Sequence, residues 1–176
     1  MSHKEQRDFV EYLKSNFQEH FINKNVLEIG SLNINGTVRD FFENCNYLGL
    51  DLDNGLDVDL VCEGQKYDAP DESFDVVCSL ECFEHNPYWF ETFQNMIRLC
   101  KKNGLVFLTC ASEGRAEHGT NEIAPYASPF TLKWNYYKNL NEIDFTSKID
   151  FNNYFSKHEF SNNEQSKDLY FFGIKK

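Results

Sequence analysis

Residues 26–36 read Val26-Leu27-Glu28-Ile29-Gly30-Ser31-Leu32-Asn33-Ile34-Asn35-Gly36. Asn25 to Gly30 is a short apolar run that ends in glycine. The run predicts a strand, a tight turn at Gly30, and then a helix over Gly36 to Phe42, where apolar residues return at helical spacing. The turn lacks the G-x-G-x-x-G spacing that lets a backbone approach a dinucleotide pyrophosphate. It carries a carboxylate instead. Glu28 would repel a pyrophosphate and attract a cationic ammonium or sulfonium group.

Outward from this unit, the chain alternates strands with helical patterns. Phe9, Val10, Leu13, Phe17 and Phe21 recur at helical spacing within Glu5 to Phe21, an amphipathic helix in an N-terminal cover over residues 1–24. Tyr47 to Asp51 and Val58 to Cys62 read as strands joined by a connection too short for a full helix. Phe74 to Ser79 is nearly uninterrupted apolar sequence, the pattern of a parallel strand covered on both faces. Asn86-Pro87 reads as a helix start with Asn as N-cap; Phe90, Phe93, Ile97 and Cys100 would mark its buried face and Asn103-Gly104 its end. Leu105 to Ala111 is the next strand. A long connection comes after it, with residues 113–138 as a lid or substrate loop, then a short helix near Leu140 to Ile149. Phe151 to Phe155 and Leu169 to Ile174 are expected to close the sheet as an antiparallel hairpin. Such a chain folds as an α/β domain over residues 1–176, with right-handed crossovers and ligands bound at the carboxyl ends of its strands.

The residues at those ends are the candidate site. Asp51 ends the second strand, where a carboxylate can accept hydrogen bonds from both hydroxyls of a ribose. Glu63 comes just after the third strand and can accept from an adenine amino group, while Tyr67 can offer an apolar face to the ring. His85 and His118 are the histidines expected near strand ends. Either can act as a general base toward an oxygen nucleophile, with His118 preferred, or can simply be a hydrogen-bonded or solvated residue. Tyr126, Trp134, Tyr136 and Tyr137 either line an acceptor pocket or pack. Cys78, Cys82 and His85 offer no convincing fourth ligand spacing, so no metal is expected.

Four segments carry a family resemblance: VLEIGSLNINGTVRDFF, YLGLDL, DESFDVVCSLECFEH and IRLCKKNGLVFLTCA. In order and spacing, from about Val26 to Ala111, the chain resembles the class I S-adenosylmethionine-dependent methyltransferases, in particular the small-molecule, methyltransferase type 11-like enzymes. The resemblance implies a doubly wound, Rossmann-like fold whose mostly parallel sheet has seven strands and ends in an antiparallel hairpin. It implies S-adenosylmethionine as cofactor, with the methionine end over Glu28, Gly30 and Ser31. The ribose would lie on Asp51 beside Leu52 and the adenine near Glu63, with Ser79 and Leu80 flanking the methyl-transfer site. Leu32 stands where many members have a second glycine. The implied reaction is methyl transfer to a small-molecule oxygen or nitrogen. A catalytically silent domain of the same fold and a nicotinamide-dependent oxidoreductase are the alternatives.

Composition narrows the partners. With 41% hydrophobic and 16% aromatic residues and only 4 Pro and 9 Gly in 176 residues, the chain is suited to a packed core. Its net charge of −11 disfavours a nucleic-acid partner, whose affinity rests on neutralising phosphates. An absence of long apolar runs leads to the expectation of a cytoplasmic protein without a membrane segment. Six cysteines without a Cys-x-x-Cys pair read as reduced core thiols.

Overall fold

The structure, a computed structural model, describes residues 4–176; Met1 to His3 of the expected N-terminal cover lie outside them. Seven strands form one sheet: β1 (Asn25–Ile29), β2 (Asn46–Asp51), β3 (Leu60–Val61), β4 (Phe74–Leu80), β5 (Cys100–Ala111), β6 (Phe155–Asn163) and β7 (Asp168–Lys175). Their order is β3-β2-β1-β4-β5-β7-β6. The first five are mutually parallel, and β7 pairs antiparallel with both β5 and β6. Helices α1 (Lys4–Asn16), α2 (Trp89–Leu99) and α3 (Glu142–Thr146) complete the fold. The expected mostly parallel sheet with a C-terminal antiparallel hairpin is present.

Alternation along the strands divides the core into two layers. Val26, Val76, Cys78, Leu105 and Phe107 face α1 and pack with Phe9, Val10, Leu13, Phe17 and Phe21. Leu27, Val77, Val106 and Leu108 point the other way, onto Phe93, Met96 and Ile97 of α2 and Phe145 of α3. Helices therefore cover both faces. Phe93 is fully buried, with ring centroids of Phe145, Phe171 and Phe151 at 5.2, 5.5 and 5.7 Å. All six cysteines are free thiols, three of them buried. No helix among the described residues is long and apolar enough to cross a membrane.

Several expected elements differ from those observed. α1 ends at Asn16, and a 3-10 turn over Gln18–His20 carries the chain onward. The helix expected over Gly36 to Phe42 is only a 3-10 turn at Arg39–Phe41. Its first N–H, that of Gly36, is accepted by Asn33 Oδ1 at 2.8 Å, and in the turn before it Asp51 accepts from the Leu32 N–H at 2.9 Å. Such side-chain bonds hold backbone out of a helix. The third strand is shorter than expected, Leu60–Val61 in place of Val58 to Cys62.

α2 begins at Trp89, because Asn86 Oδ1 accepts from the Tyr88 N–H at 2.8 Å and closes a turn before the helix. It ends at Leu99, so Asn103-Gly104 does not terminate it. Asn103, at φ +59°, instead bulges β5 where the pairing with β4 jumps from Phe74↔Cys100 to Val76↔Leu105. At the end of the chain, Phe151–Asn153 is a 3-10 turn, and the strand expected over Phe151 to Phe155 begins only at Phe155 and runs to Asn163.

Replacement of Phe93 by alanine should lower the unfolding free energy by about 3–5 kcal/mol, the cost of emptying a fully packed aromatic site. Urea unfolding tracked by circular dichroism measures this directly.

Candidate active site

The chain leaves β1 toward β2 and β3, and leaves β4 toward β5 on the opposite side. A crevice opens at the carboxyl ends of adjacent strands that diverge in this way. Two hollows lie there. The larger, about 610 Å³ with its open mouth, is floored by Ile29, Gly30, Leu50, Asp51 and Leu52. Its other walls come from Cys62 and Gly64, from Leu80 to Cys82, from Asn86, and from the loop after β5 at residues 127–131 and Trp134. The smaller, about 270 Å³, is bounded by Gln6, Glu28, Ser31 and residues 36–38. Gly30, Leu32 and Leu80 border both hollows, which makes them one bipartite site.

Gly30 sits at φ +84°, and a β-carbon there would come within 2.7 Å of the Cys82 side chain. The turn thus needs glycine both for its conformation and for the closeness of β1 to the segment after β4. Ser79 Oγ donates to the Ile29 carbonyl at 2.7 Å and clips the two strands together at the same level. Leu32, the departure from the family pattern, stands at the junction of the hollows.

The two carboxylates are held differently. Glu28 is 5% exposed and accepts from the Tyr47 hydroxyl at 2.8 Å. Burial pushes its carboxyl up to about 7, against a smaller opposite effect of the Tyr47 hydrogen bond. Asp51 accepts the Leu32 N–H on one oxygen, at 2.9 Å, and the Leu52 N–H on the other, at 2.7 Å. Burial raises its carboxyl also, while the two backbone bonds act to lower it. Each Asp51 oxygen retains acceptor capacity toward the cleft. Ser31 Oγ, in the smaller hollow, is buried without a hydrogen-bond partner.

The structure brings together Glu28, Gly30, Ser31, Asp51, Leu52 and Leu80 around the crevice. Glu63 is not in its wall: its carboxylate accepts from Gln65 at 2.7 Å and pairs with Lys66 at 3.0 Å. Ser79 is fully buried within β4 and serves as the clip described above. Tyr67 packs on the core against Phe74, with ring centroids 6.3 Å apart. Of the four loop aromatics, Trp134 lines the cleft, and Tyr126 is 76% exposed.

His85 and His118 are brought side by side, ring centroids 5.0 Å apart, with Tyr137 against both. Neither imidazole borders the cleft. Burial lowers both, His85 to about 3, so both are neutral near pH 7. Glu84, next to His85, is fully buried, and burial and the nearby Glu81 raise its carboxyl well above the usual range.

Sequence reasoning missed Glu81, Cys82 and Asn86, whereas the segment from Ala127 to Thr131 belongs to the loop expected to be a lid or substrate loop. Glu81 stands directly after β4, and its position was therefore a legible signal. Its backbone is left-handed, φ +49°, a conformation rare outside glycine and asparagine. A polar relay reaches it from α1: Gln6 donates to Thr109 Oγ1 at 3.0 Å, and Thr109 donates to Glu81 Oε1 at 2.9 Å.

Comparison with known proteins agrees with this architecture. Haemonchus contortus phosphoethanolamine N-methyltransferase 2, solved with S-adenosyl-L-methionine, aligns with a TM-score of 0.65 at 19% identity over 96% of this chain and 52% of that one. The chain therefore spans about half the length of that enzyme. The PH0226 protein from Pyrococcus horikoshii aligns at 0.63 and 13% identity, over 99% and 93%. Burkholderia thailandensis 1,6-didemethyltoxoflavin-N1-methyltransferase, solved with bound 1,6-didemethyltoxoflavin and S-adenosylhomocysteine, aligns at 0.59 and 13%, over 99% and 92%. No curated protein matches the chain by sequence. A family model described as a methyltransferase domain matches residues 1–165. The chain belongs to the methyltransferase-domain family.

Proposed function

We propose that this chain binds S-adenosylmethionine in the bipartite crevice and transfers its methyl group to a small molecule bound under the loop of residues 113–138. The observation that carries the reading is the pairing of hollows across Gly30, one with a buried glutamate and a free serine hydroxyl, the other with the ribose-type aspartate. A methionine moiety suits the smaller hollow, where its ammonium meets Glu28 and a polar group can engage Ser31. A nucleoside suits the larger, with its ribose on Asp51 and the base between Leu52 and the β3 end. Glu63 would then reach the base only from the rim.

Methyl transfer from a sulfonium requires in-line alignment and exclusion of water more than elaborate acid–base chemistry. The segment from Ala127 to Trp134 supplies an apolar cover for that purpose. The acceptor atom is an oxygen or nitrogen, with oxygen preferred, and a small acceptor fits both the size of the cleft and the names of two structural neighbours. His85 and His118 stand behind the wall, and we assign neither a direct proton transfer from the acceptor.

Calorimetric titration of cofactor-free protein should show binding of S-adenosylmethionine and S-adenosylhomocysteine and none of NAD. Binding of NAD would overturn the cofactor class, and binding of neither nucleoside by folded protein would overturn the site. Asp51→Ala should weaken S-adenosylhomocysteine binding by about 1.5–3 kcal/mol through loss of bonds to a charged acceptor.

The protonation of Glu28 supplies a third test. Its carboxyl lies near 7 without ligand, and an adjacent ammonium would draw it lower, so binding is coupled to proton release. Affinity should accordingly be full above about pH 7 and decline as the pH falls through that value. Calorimetry from about pH 8.5 to about pH 6 in buffers of different ionisation enthalpy should show that release, and Glu28→Gln should abolish it.

A further inference from the structure

We propose that Glu84, His85 and His118 bind one divalent transition-metal cation beside the cleft. One ligand atom from each residue lies within 4.8 Å of the other two. The three come from separate parts of the sequence: Glu84 and His85 from the 3-10 turn after β4, and His118 from the loop after β5. The parallel pairing of β4 with β5 brings those two segments together.

The surroundings are those of a ligand set and not of a satisfied polar core. Glu84 is fully buried, and neither of its carboxylate oxygens has a hydrogen-bond partner. Its nearest cationic candidate is His85 Nε2, 3.9 Å from Oε1, too far for a hydrogen bond. A buried carboxyl group that no neighbouring residue bonds is costly, and native interiors rarely retain one without a partner. His118 Nδ1 lies 3.0 Å from the Ala116 carbonyl. A carbonyl only accepts, so Nδ1 carries the proton and Nε2 keeps its lone pair. The same arrangement, an outer nitrogen anchored to a carbonyl, orients metal-binding histidines in general.

His85 is held in place from behind. Gly119, at φ +65°, packs so closely that a β-carbon there would lie 2.6 Å from His85 Cε1. The Tyr137 ring also packs on His85, with centroids 5.6 Å apart, and its hydroxyl donates to the same Ala116 carbonyl at 3.1 Å. Once Glu84 gives up its proton, its carboxylate, His118 Nε2 and the unprotonated ring nitrogen of His85 are three convergent acceptors, the set a cation matches, and binding of the metal releases that proton. Two imidazoles and one carboxylate favour a first-row transition metal with open positions over calcium or magnesium. Bonds of about 2.0–2.2 Å would draw the cluster inward by side-chain rotation.

Glu81 lines the cleft just before this cluster, so a cation here would stand next to the cleft wall. It could lower the proton affinity of an acceptor oxygen that reached it. That consequence rests on the methyl-transfer reading, whereas binding of the cation does not.

The test uses the full chain, treated with chelator and dialysed, and titrated with Co²⁺ while its visible d–d absorption is monitored. The expected result is saturation at one ion per chain, with Zn²⁺ displacing the cobalt. Glu84→Gln and His118→Ala, each verified as folded by circular dichroism, should weaken cobalt binding at least about tenfold. His158→Ala, on β6, should leave it unchanged. No cobalt signal, or a signal that survives in folded Glu84→Gln and His118→Ala, would overturn the proposal. S-adenosylhomocysteine titration of the same preparations reports on the cofactor reading separately.

Discussion

Strands β1 and β4 lie side by side in the centre of the sheet, yet the chain departs from them in opposite directions. The geometry of the candidate site depends on how that boundary is held at its carboxyl end. The Ser79 hydroxyl on the Ile29 carbonyl and the contact of Gly30 with Cys82 fix it there. With the boundary set, Glu28 and Asp51 are carried to opposite sides of one turn. Their backbone and hydroxyl bonds then keep each carboxylate pointed at its own hollow.

The molecule achieves this with little helix. The first crossover is a 3-10 turn and the second lacks even that, so backbone N–H groups of the Gly30 to Gly36 loop bond the Leu50 and Leu56 carbonyls and the Asp51 and Asn33 side chains in place of a helix ladder. The aspartate assigned to the ribose is therefore also a structural tie for the loop over which the methionine end would lie. On the proposed reading, binding and loop conformation are coupled through a single carboxylate.

Much of this was legible in the sequence, for identifiable reasons. Central strands such as Phe74 to Leu80 are buried on both faces and announce themselves as apolar runs. Of the candidate residues at strand ends, Glu28, Gly30 and Asp51 come from the rule that ligands bind there, and Leu80 from the family resemblance. β6 was not legible, because Phe155 to Asn163 is an edge strand with mostly exposed polar residues, held by its pairing with β7. Glu63 falls outside the cleft wall between Cys62 and Gly64, because a strand of only two residues does little to aim the side chains beyond its end. Ser79 reads as a site residue in sequence, and only the sheet reveals its hydroxyl turned to Ile29. The cluster of Glu84, His85 and His118 spans a strand crossover, and no local pattern announces such a meeting.

The two margins of the sheet have a colloidal consequence. An unpaired strand edge is a template on which another chain can add. At one margin β3 has only two residues, and its flanks carry Asp57, Asp59 and Glu63. At the other, Lys157 and Glu159 stand on β6 among exposed polar residues. Leu60 and Val61 are 43% and 44% exposed, but the ladder they offer is too short to recruit a neighbour, and the carboxylates around it repel one of like charge. A chain so rich in strand thereby guards against fibre growth at both ends of its sheet, with charge and brevity taking the place of covering helices.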